Sequence, residues 1–174
     1  MTNQLFQAMV VREEPDNLFI REVRQRPMAE LPEYDVLIAV RFSSLNYKDA
    51  LSASGNRGVT RRYPHTPGVD AAGVVMESVS PRCAAGDEVI VTGYDLGTKI
   101  PGGFGQFIRV PAAWIVPLPP GMSLYESMIY GTAGCTAAQS VLKIVEHVVK
   151  PGVGQILVSG AMGSVGSVSV AILA

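Results

Sequence analysis

One short segment around residue 160 limits the possible folds more than any other part of this sequence. An apolar run at residues 156–159 is followed by Gly160, Gly163 and Gly166, and then by a run of small and branched residues. Compared with the spacing G-x-G-x-x-G, Ala161 stands at the first glycine, and Gly163 and Gly166 stand at the other two. The pattern predicts a buried strand, a tight loop and a helix whose first N–H groups can hold a pyrophosphate. The alternative is a glycine-rich turn that binds nothing.

Most of the chain before this segment has the sequence pattern of a β protein. Short apolar runs, several of them alternating in hydrophobicity, are separated by prolines and glycines, which favours an all-β barrel or sandwich. Residues 46–52 interrupt the series and predict one or two helical turns. The predicted strands are 8–11, 18–23, 35–42, 68–79, 87–92, 104–110 and 114–118.

After a proline-rich linker at residues 117–122, the sequence pattern changes from that of strands to that of helices. Ser123 and Glu126 have the spacing of a capping box, which predicts the start of a short helix that breaks at residues 131–134. A longer helix is predicted from Thr136 to Val149, with Lys150, Pro151 and Gly152 ending it. We therefore expect two parts, residues 1–122 and residues 123–174.

Composition narrows the functional class. The chain is 48% hydrophobic and 17% charged, as expected of a packed globular protein, and its net charge of -1 attracts neither nucleic acid nor anionic membranes as a whole. Cys83 and Cys135 lack CxxC spacing, so we expect reduced thiols. With neither a signal peptide nor an apolar run of membrane-spanning length in the sequence, we expect a soluble, cytoplasmic protein. The local cluster of Arg57, Arg61 and Arg62 is interpreted as a solvated loop, with a phosphate-bearing substrate as the alternative.

Two groups of polar residues are candidates for chemistry. Asn46, Tyr47, Lys48 and Asp49 follow the strongest predicted strand and could position a carbonyl group and donate a proton. From spacing alone, a helix cap is the better interpretation of this cluster. Asp70 enters an apolar strand, where a carboxylate is costly unless it is paired. We favour a structural acceptor there, with a pocket group beside Asn46 as the alternative.

Six sequence blocks occur in an order that resembles the medium-chain dehydrogenase/reductase superfamily. The resemblance is strongest to its zinc-free quinone oxidoreductase branch and, within that branch, to bacterial acrylyl-CoA reductase-like proteins. It covers nearly the whole chain. The blocks are SSLNYKDAL (43–51), TPGVDAAGVV (66–75), GDEVIVTG (86–93), GGFGQFIRV (102–110), YGTAGCTAAQSV (130–141) and VSGAMGSVGSVSVAIL (158–173).

The resemblance implies a fold of mixed β and α/β class. Residues 1–122 would form a GroES-like β-barrel that holds the substrate. Residues 123–174 would supply linker helices and the first strand, loop and helix of a truncated, NADP-binding Rossmann domain. The implied reaction is hydride transfer from NADPH to the β carbon of an activated alkene, followed by protonation of the α carbon.

The resemblance also assigns roles to individual residues. Asn46, Tyr47 and Asp49 would be catalytic, and Thr132 would lie close to the nicotinamide. The loop residues Gly163, Ser164, Val165 and Gly166 would bind the pyrophosphate.

Zinc is not expected. Zinc-dependent members of the superfamily carry a cysteine on the loop that corresponds to residues 46–49 and a His-Glu pair at the positions of residues 68–70. They also carry closely spaced cysteines in the region of residues 94–103. This sequence has none of these N and S ligands at those places.

Members of the superfamily continue well past the length of this chain, which leaves two hypotheses. The chain is part of a reductase of enoyl thioesters or quinones, or it is a truncated, catalytically inactive remnant that self-associates and at most binds a small molecule. In both cases the predicted strand at residues 156–159 lacks a partner strand. We therefore expect a homodimer or larger assembly through residues 123–174.

Overall fold

Seven strands and three α-helices make up the computed structural model, which describes residues 4–147, 152 and 154–174. The strands are β1 (Leu5–Glu14), β2 (Leu18–Pro27), β3 (Val36–Phe42), β4 (Asp70–Ser78), β5 (Glu88–Thr92), β6 (Phe107–Val110) and β7 (Ile115–Pro117). The helices are α1 (Tyr47–Ala53), α2 (Leu124–Glu146) and α3 (Ser164–Leu173). Each strand predicted before residue 120 is present, with changes only at its ends, and the predicted turn at 46–52 is α1.

Two antiparallel sheets form the first part of the molecule. β1 and β2 make a hairpin, and the other strands form a five-stranded sheet in the order β6-β3-β4-β5-β7. The hairpin joins the larger sheet region through backbone hydrogen bonds, such as that from the Met9 N–H to the Phe104 carbonyl at 2.8 Å. The architecture confirms the predicted GroES-like β fold followed by helices.

The main core lies on one face of the five-stranded sheet. Val36 and Ile38 of β3 point into this core together with residues of the neighbouring strands. Leu37 is also buried, but it packs with Phe6 and Leu31 beneath the β1-β2 hairpin. β3 is therefore buried on both faces, which explains why its sequence is nearly all apolar rather than alternating.

α2 connects this sheet to the rest of the chain. Leu124 and Met128, in its first turns, pack against Ala72 of β4. The predicted short and long helices form one element with a kink at Gly131, whose φ is 47° and ψ is -147°. The predicted end at Val149 and the stop at Lys150 and Pro151 lie outside the described residues.

The prediction of a strand at residues 156–159 is wrong. Residues 154–158 have no regular secondary structure, and a turn follows before α3 begins at Ser164. A strand is defined by a hydrogen-bonded ladder to a neighbour, and no described strand lies beside this segment. The loop and the helix of the predicted unit are present, so the error concerns its first element only.

Cys83 is buried and Cys135 exposed, and both are free thiols. No helix in the described part of the chain combines the length and hydropathy that crossing a bilayer requires.

Candidate functional site

The site begins at the loop between β3 and α1, where an asparagine caps the helix. Asn46 has extended backbone geometry and precedes the first helical residue. Its N–H donates to Asp49 Oδ2 at 2.8 Å, as in one half of a capping box. The Asn46 side chain turns elsewhere: its Nδ2 donates to Asp70 Oδ2 at 2.8 Å. The cap therefore holds α1 in place and directs the Asn46 amide toward β4.

Asp49 is buried and ties α1 to the start of β4. Its Oδ1 accepts from the Gly68 N–H at 3.1 Å and from the Val69 N–H at 2.9 Å. Burial raises the pKa of the Asp49 carboxyl, while hydrogen bonds from Asn46, Val69 and Gly68 act in the opposite direction. Asp49 does not line the cleft described below. Through these contacts, Asp49 positions the loop between β3 and α1.

Asp70 is completely buried at the first residue of β4 and has three hydrogen-bond donors. Besides the Asn46 amide, its Oδ2 accepts from the Thr132 N–H at 2.9 Å, and its Oδ1 accepts from the Thr132 hydroxyl at 2.7 Å. Thr132 lies just after the kink, so Asp70 caps the second segment of α2, where the helix dipole favours a negative charge. This explains how a buried carboxylate is tolerated without an ion pair. These contacts agree with the favoured interpretation of Asp70 as a structural acceptor. Asp70 lies beside Asn46, but it is fully buried and does not line the cleft described below.

The kink in α2 depends on a glycine. A Cβ at Gly131 would lie 2.2 Å from Ser44 Oγ and 2.7 Å from Asp70 Oδ2. The Thr132 N–H is turned to Asp70, and the Met128 carbonyl, its partner in an ideal helix, accepts instead from the Ser44 hydroxyl at 2.6 Å. Ser44 was not predicted from the sequence as a site residue. The adjacent serines before Asn46 are a weak signal that could have drawn attention to it.

These contacts determine which polar atoms remain for a ligand. Asp70 carries only acceptor atoms, so Asn46 must turn its NH₂ group toward it. The amide oxygen then lies on the side of the Asp49 N–H in the capping box and keeps a second lone pair. The Thr132 hydroxyl donates to Asp70 and keeps its lone pairs. Asn46 and Thr132 can therefore accept hydrogen bonds from a ligand that carries N–H or O–H groups.

The glycine loop has the local geometry that the sequence predicts. The Gly163 N–H donates to the Gly160 carbonyl at 2.9 Å, which closes a tight turn directly before α3. A Cβ at Gly166 would lie 2.2 Å from the Gly160 oxygen, so the helix can approach the loop only with glycine there. At Gly163 a Cβ would be 3.4 Å from the same oxygen, an ordinary contact. Packing within the chain therefore requires Gly166 but does not require Gly163.

The start of α3 offers hydrogen-bond donors. Its first helical bond runs from the Ser167 N–H to the Gly163 carbonyl at 2.8 Å. The N–H groups of Ser164, Val165 and Gly166 precede that bond and have no acceptor within the helix. Free N–H groups, a positive dipole end and a close glycine turn fit a pyrophosphate.

An open cleft of about 600 Å³ brings the two loops together. Its volume lies within the range of small-molecule sites. Tyr47, with 80% of its surface exposed, and Lys48 contribute to its lining. Among the predicted site residues, those that line the cleft are Asn46, Tyr47, Thr132, Gly163, Ser164, Val165 and Gly166.

Metal ligands do not cluster in the part of the chain that the structure describes, where no group of three or more His, Cys, Asp and Glu side chains could hold an ion. The segments in which zinc-dependent members carry these ligands, residues 46–49 and 68–70, contain neither Cys nor His here. Asp70 already has its hydrogen bonds satisfied within the protein. The absence of zinc stays a prediction.

Comparison with known proteins identifies the family. Residues 32–120 match the family of the alcohol dehydrogenase GroES-like domain. Acrylyl-CoA reductase AcuI of Ruegeria pomeroyi is 43% identical over 171 residues, which cover 98% of this chain and 52% of that protein. The chain thus spans about half the length of the curated relatives it matches.

Solved structures agree with this assignment. The Bacillus subtilis protein YhfP with NAD bound superposes with a TM-score of 0.93 at 43% identity, covering 98% of this chain and 52% of that one. YhdH of Escherichia coli K-12 with bound NADPH gives a TM-score of 0.91 at 42% identity, covering 96% of this chain and 51% of that one. The chain belongs to the alcohol dehydrogenase GroES-like domain family, among the quinone oxidoreductase and acrylyl-CoA reductase-like members of the medium-chain dehydrogenase/reductase superfamily.

Proposed function

We propose that this chain forms the substrate side and the pyrophosphate loop of an NADPH-dependent reductase of activated double bonds. The substrate would be an enoyl thioester of the acrylyl-CoA type or a quinone. One observation carries the proposal: the loop with Asn46 and Tyr47 and the loop with Gly163 and Gly166 line the same cleft. The relatives support it, because AcuI is an acrylyl-CoA reductase, and YhfP and YhdH were solved with NAD and NADPH.

The cofactor would be held by residues of the glycine loop and of α2. Gly163, Ser164, Val165 and Gly166 would bind the pyrophosphate of NADP(H), and Thr132 would lie beside the nicotinamide. When bound, the dinucleotide would supply the hydride. The acceptor oxygens of Thr132 and Asn46 suit the carboxamide N–H groups of such a ring, because Asp70 already takes the hydrogens that these two side chains donate to it.

The remaining chemistry falls to the loop before α1. Reduction of the double bond places negative charge on a substrate oxygen, which a nearby donor must stabilise. Tyr47 is the donor that we propose, since its side chain is exposed at the cleft. Asn46 would orient the ligand, and Asp49 would act by positioning both residues, because its oxygens accept from backbone N–H groups.

We also propose that the chain forms a homodimer or larger assembly through residues 123–174. Apolar side chains are exposed along this segment, among them Ile129 (60%), Leu142 (55%), Leu157 (94%) and Met162 (98%). Exposed apolar surface of this extent favours association.

Titration of NADPH, followed by nicotinamide fluorescence, tests the proposed cofactor site. We expect saturable binding, weakened about tenfold or more by Gly163→Ala because the added methyl group lies where the pyrophosphate would approach. The φ of Gly163 is -81° and a Cβ there meets only an ordinary contact, so this variant should fold normally.

Gly154→Ala is the matched control, because a Cβ at that position has nothing within 4 Å. It should bind NADPH as the unchanged chain does. No saturable binding up to millimolar NADPH would contradict catalysis by this chain and favour the inactive remnant. Equal binding by Gly163→Ala would remove the glycine loop from the site.

A further inference from the structure

A second concavity lies beside the loop that follows α1. Its volume is about 600 Å³, and it shares no lining residue with the cleft described above. Half of its lining residues are cationic, and no carboxylate is among them. The lining residues are Gly58, Val59, Arg61, Arg62, Thr98 and Lys99.

The backbone that carries the two arginines is anchored on both sides. Thr60, immediately before them, is completely buried, and its hydroxyl pairs with that of Ser52 at 2.7 Å. Tyr63, immediately after them, donates its hydroxyl to the Ser52 carbonyl at 2.7 Å. Arg61 and Arg62 therefore project from a short segment that is fixed at its two ends.

Arg57 also anchors this segment, and its charge is paired with that of Glu13. Its Nη1 donates to the Arg61 carbonyl at 2.9 Å, and its guanidinium packs over the rings of Phe19 and Tyr63. Its Nη2 forms an ion pair with Glu13. Arg57 thus has its own partners and supports the loop rather than lining the concavity.

The charge of the concavity is only partly compensated. Lys99 pairs with Asp95 at 3.0 Å, in an exposed contact that contributes little stability. Arg61 and Arg62 form no ion pair with any described residue. Two guanidinium groups and an ammonium group around one hollow repel one another, and a bound anion would remove that repulsion.

We propose that this basic pocket binds a small molecule that carries phosphate groups, with Arg61 and Arg62 as its charge partners. Guanidinium groups bind phosphate oxygens in pairs of parallel hydrogen bonds, which a halide ion cannot accept in the same way. The volume suits a small molecule rather than a polymer. The proposal does not depend on the function proposed for the cleft.

Calorimetric titration of the whole chain with sodium pyrophosphate tests the pocket. We expect a saturable binding event that Gly163→Ala leaves unchanged, because it does not belong to the glycine loop. The same event should weaken about tenfold or more in the double variant Arg61→Gln, Arg62→Gln, because the loss of one charged hydrogen bond is enough to lower the affinity by that factor. The matched control is Arg41→Gln, Arg82→Gln, which removes the same charge from two exposed arginines without ion pairs to described residues. The control should bind as the unchanged chain does.

Three results would overturn the proposal. They are the absence of saturable binding, equal weakening by the two double variants, and unchanged affinity in Arg61→Gln, Arg62→Gln. The second would mean attraction by net charge alone. The third would place the anion elsewhere, for instance at the start of α3. Circular dichroism and melting temperature, measured on both double variants, verify that each is folded.

Discussion

At the scale of single residues, Asp70 shows how a buried charge can be held by neutral groups. Its carboxylate has three donors from Asn46 and Thr132 and no cation within ion-pair distance among the described residues. Asp70→Asn would replace one acceptor oxygen by an NH₂ group, which would face the hydrogen-bond donors of Asn46 and Thr132 without an acceptor of its own. We expect a loss of about 1–3 kcal/mol in the free energy of unfolding, measured by urea denaturation.

Asp95→Asn is the control, because Asp95 forms only an exposed ion pair with Lys99 through its side chain. It should cost less than about 1 kcal/mol. If the two variants lose the same free energy, Asp70 does not have the role that its contacts indicate.

His65 leads to a second prediction at this scale. Its side chain is buried, and its Nε2 has no hydrogen-bond partner among the described residues. Burial lowers the pKa of His65 from its ordinary value of 6.5, with Arg26 adding to the effect and a hydrogen bond with the Gly97 backbone opposing it. The unfolded chain then binds the proton more readily, so stability is complete above pH 6.5 and falls as the pH drops toward the lowered pKa.

Urea denaturation at several pH values checks this behaviour. His65→Phe keeps an aromatic ring beside Tyr63 and removes the titrating group, so the loss of stability below pH 6.5 should become smaller. The same slope in both proteins would show that another group is responsible.

At the scale of elements, the kink in α2 joins the helix to the β3–α1 loop. Gly131→Ala would combine an unfavourable backbone conformation with a Cβ 2.2 Å from Ser44 Oγ. We expect it to cost about 3 kcal/mol or more, because strain and overpacking add. Fluorescence of Trp114 during denaturation measures the loss.

Gly121→Ala separates the two effects. Gly121 also has positive φ, 83°, but nothing lies within 4 Å of a Cβ there. Its substitution should cost only about 1–2 kcal/mol from the backbone conformation. Equal costs at Gly131 and Gly121 would mean that the contact with Ser44 relaxes without penalty.

At the scale of the whole molecule, the proposed assembly predicts a mass in solution above that of one chain. Light scattering should give at least twice the monomer mass of 18.5 kDa. Leu142→Lys with Val145→Lys, at positions that are 55% and 51% exposed on α2, should reduce the mass to that of the monomer. The control is Met76→Lys with Val79→Lys, at exposed positions in β4 and directly after it, and it should not change the mass. A single monomer mass for the unchanged chain would contradict the assembly.

Local sequence patterns predicted much of the fold and part of the site. Alternating apolar residues and glycine or proline turns identified the strands before residue 120, because each depends on short-range periodicity. The spacing of Gly163 and Gly166 identified the loop before α3, since the need for glycine at position 166 comes from a contact with Gly160, only a few residues away. The strand predicted at residues 156–159 was wrong, because an apolar run becomes a strand only when another strand pairs with it.

What the sequence determined by itself is therefore the set of local elements and, through the resemblance, the family. Only the tertiary structure showed that Asp70 joins Asn46 to Thr132, residues 24 and 62 positions away along the chain. It also showed that the Asp49 carboxylate accepts hydrogen bonds from backbone N–H groups, and that Arg61 and Arg62 line a concavity together with Lys99. The physical reason is that a hydrogen bond depends on distance in space, and distance in space between remote residues is set by how the elements pack.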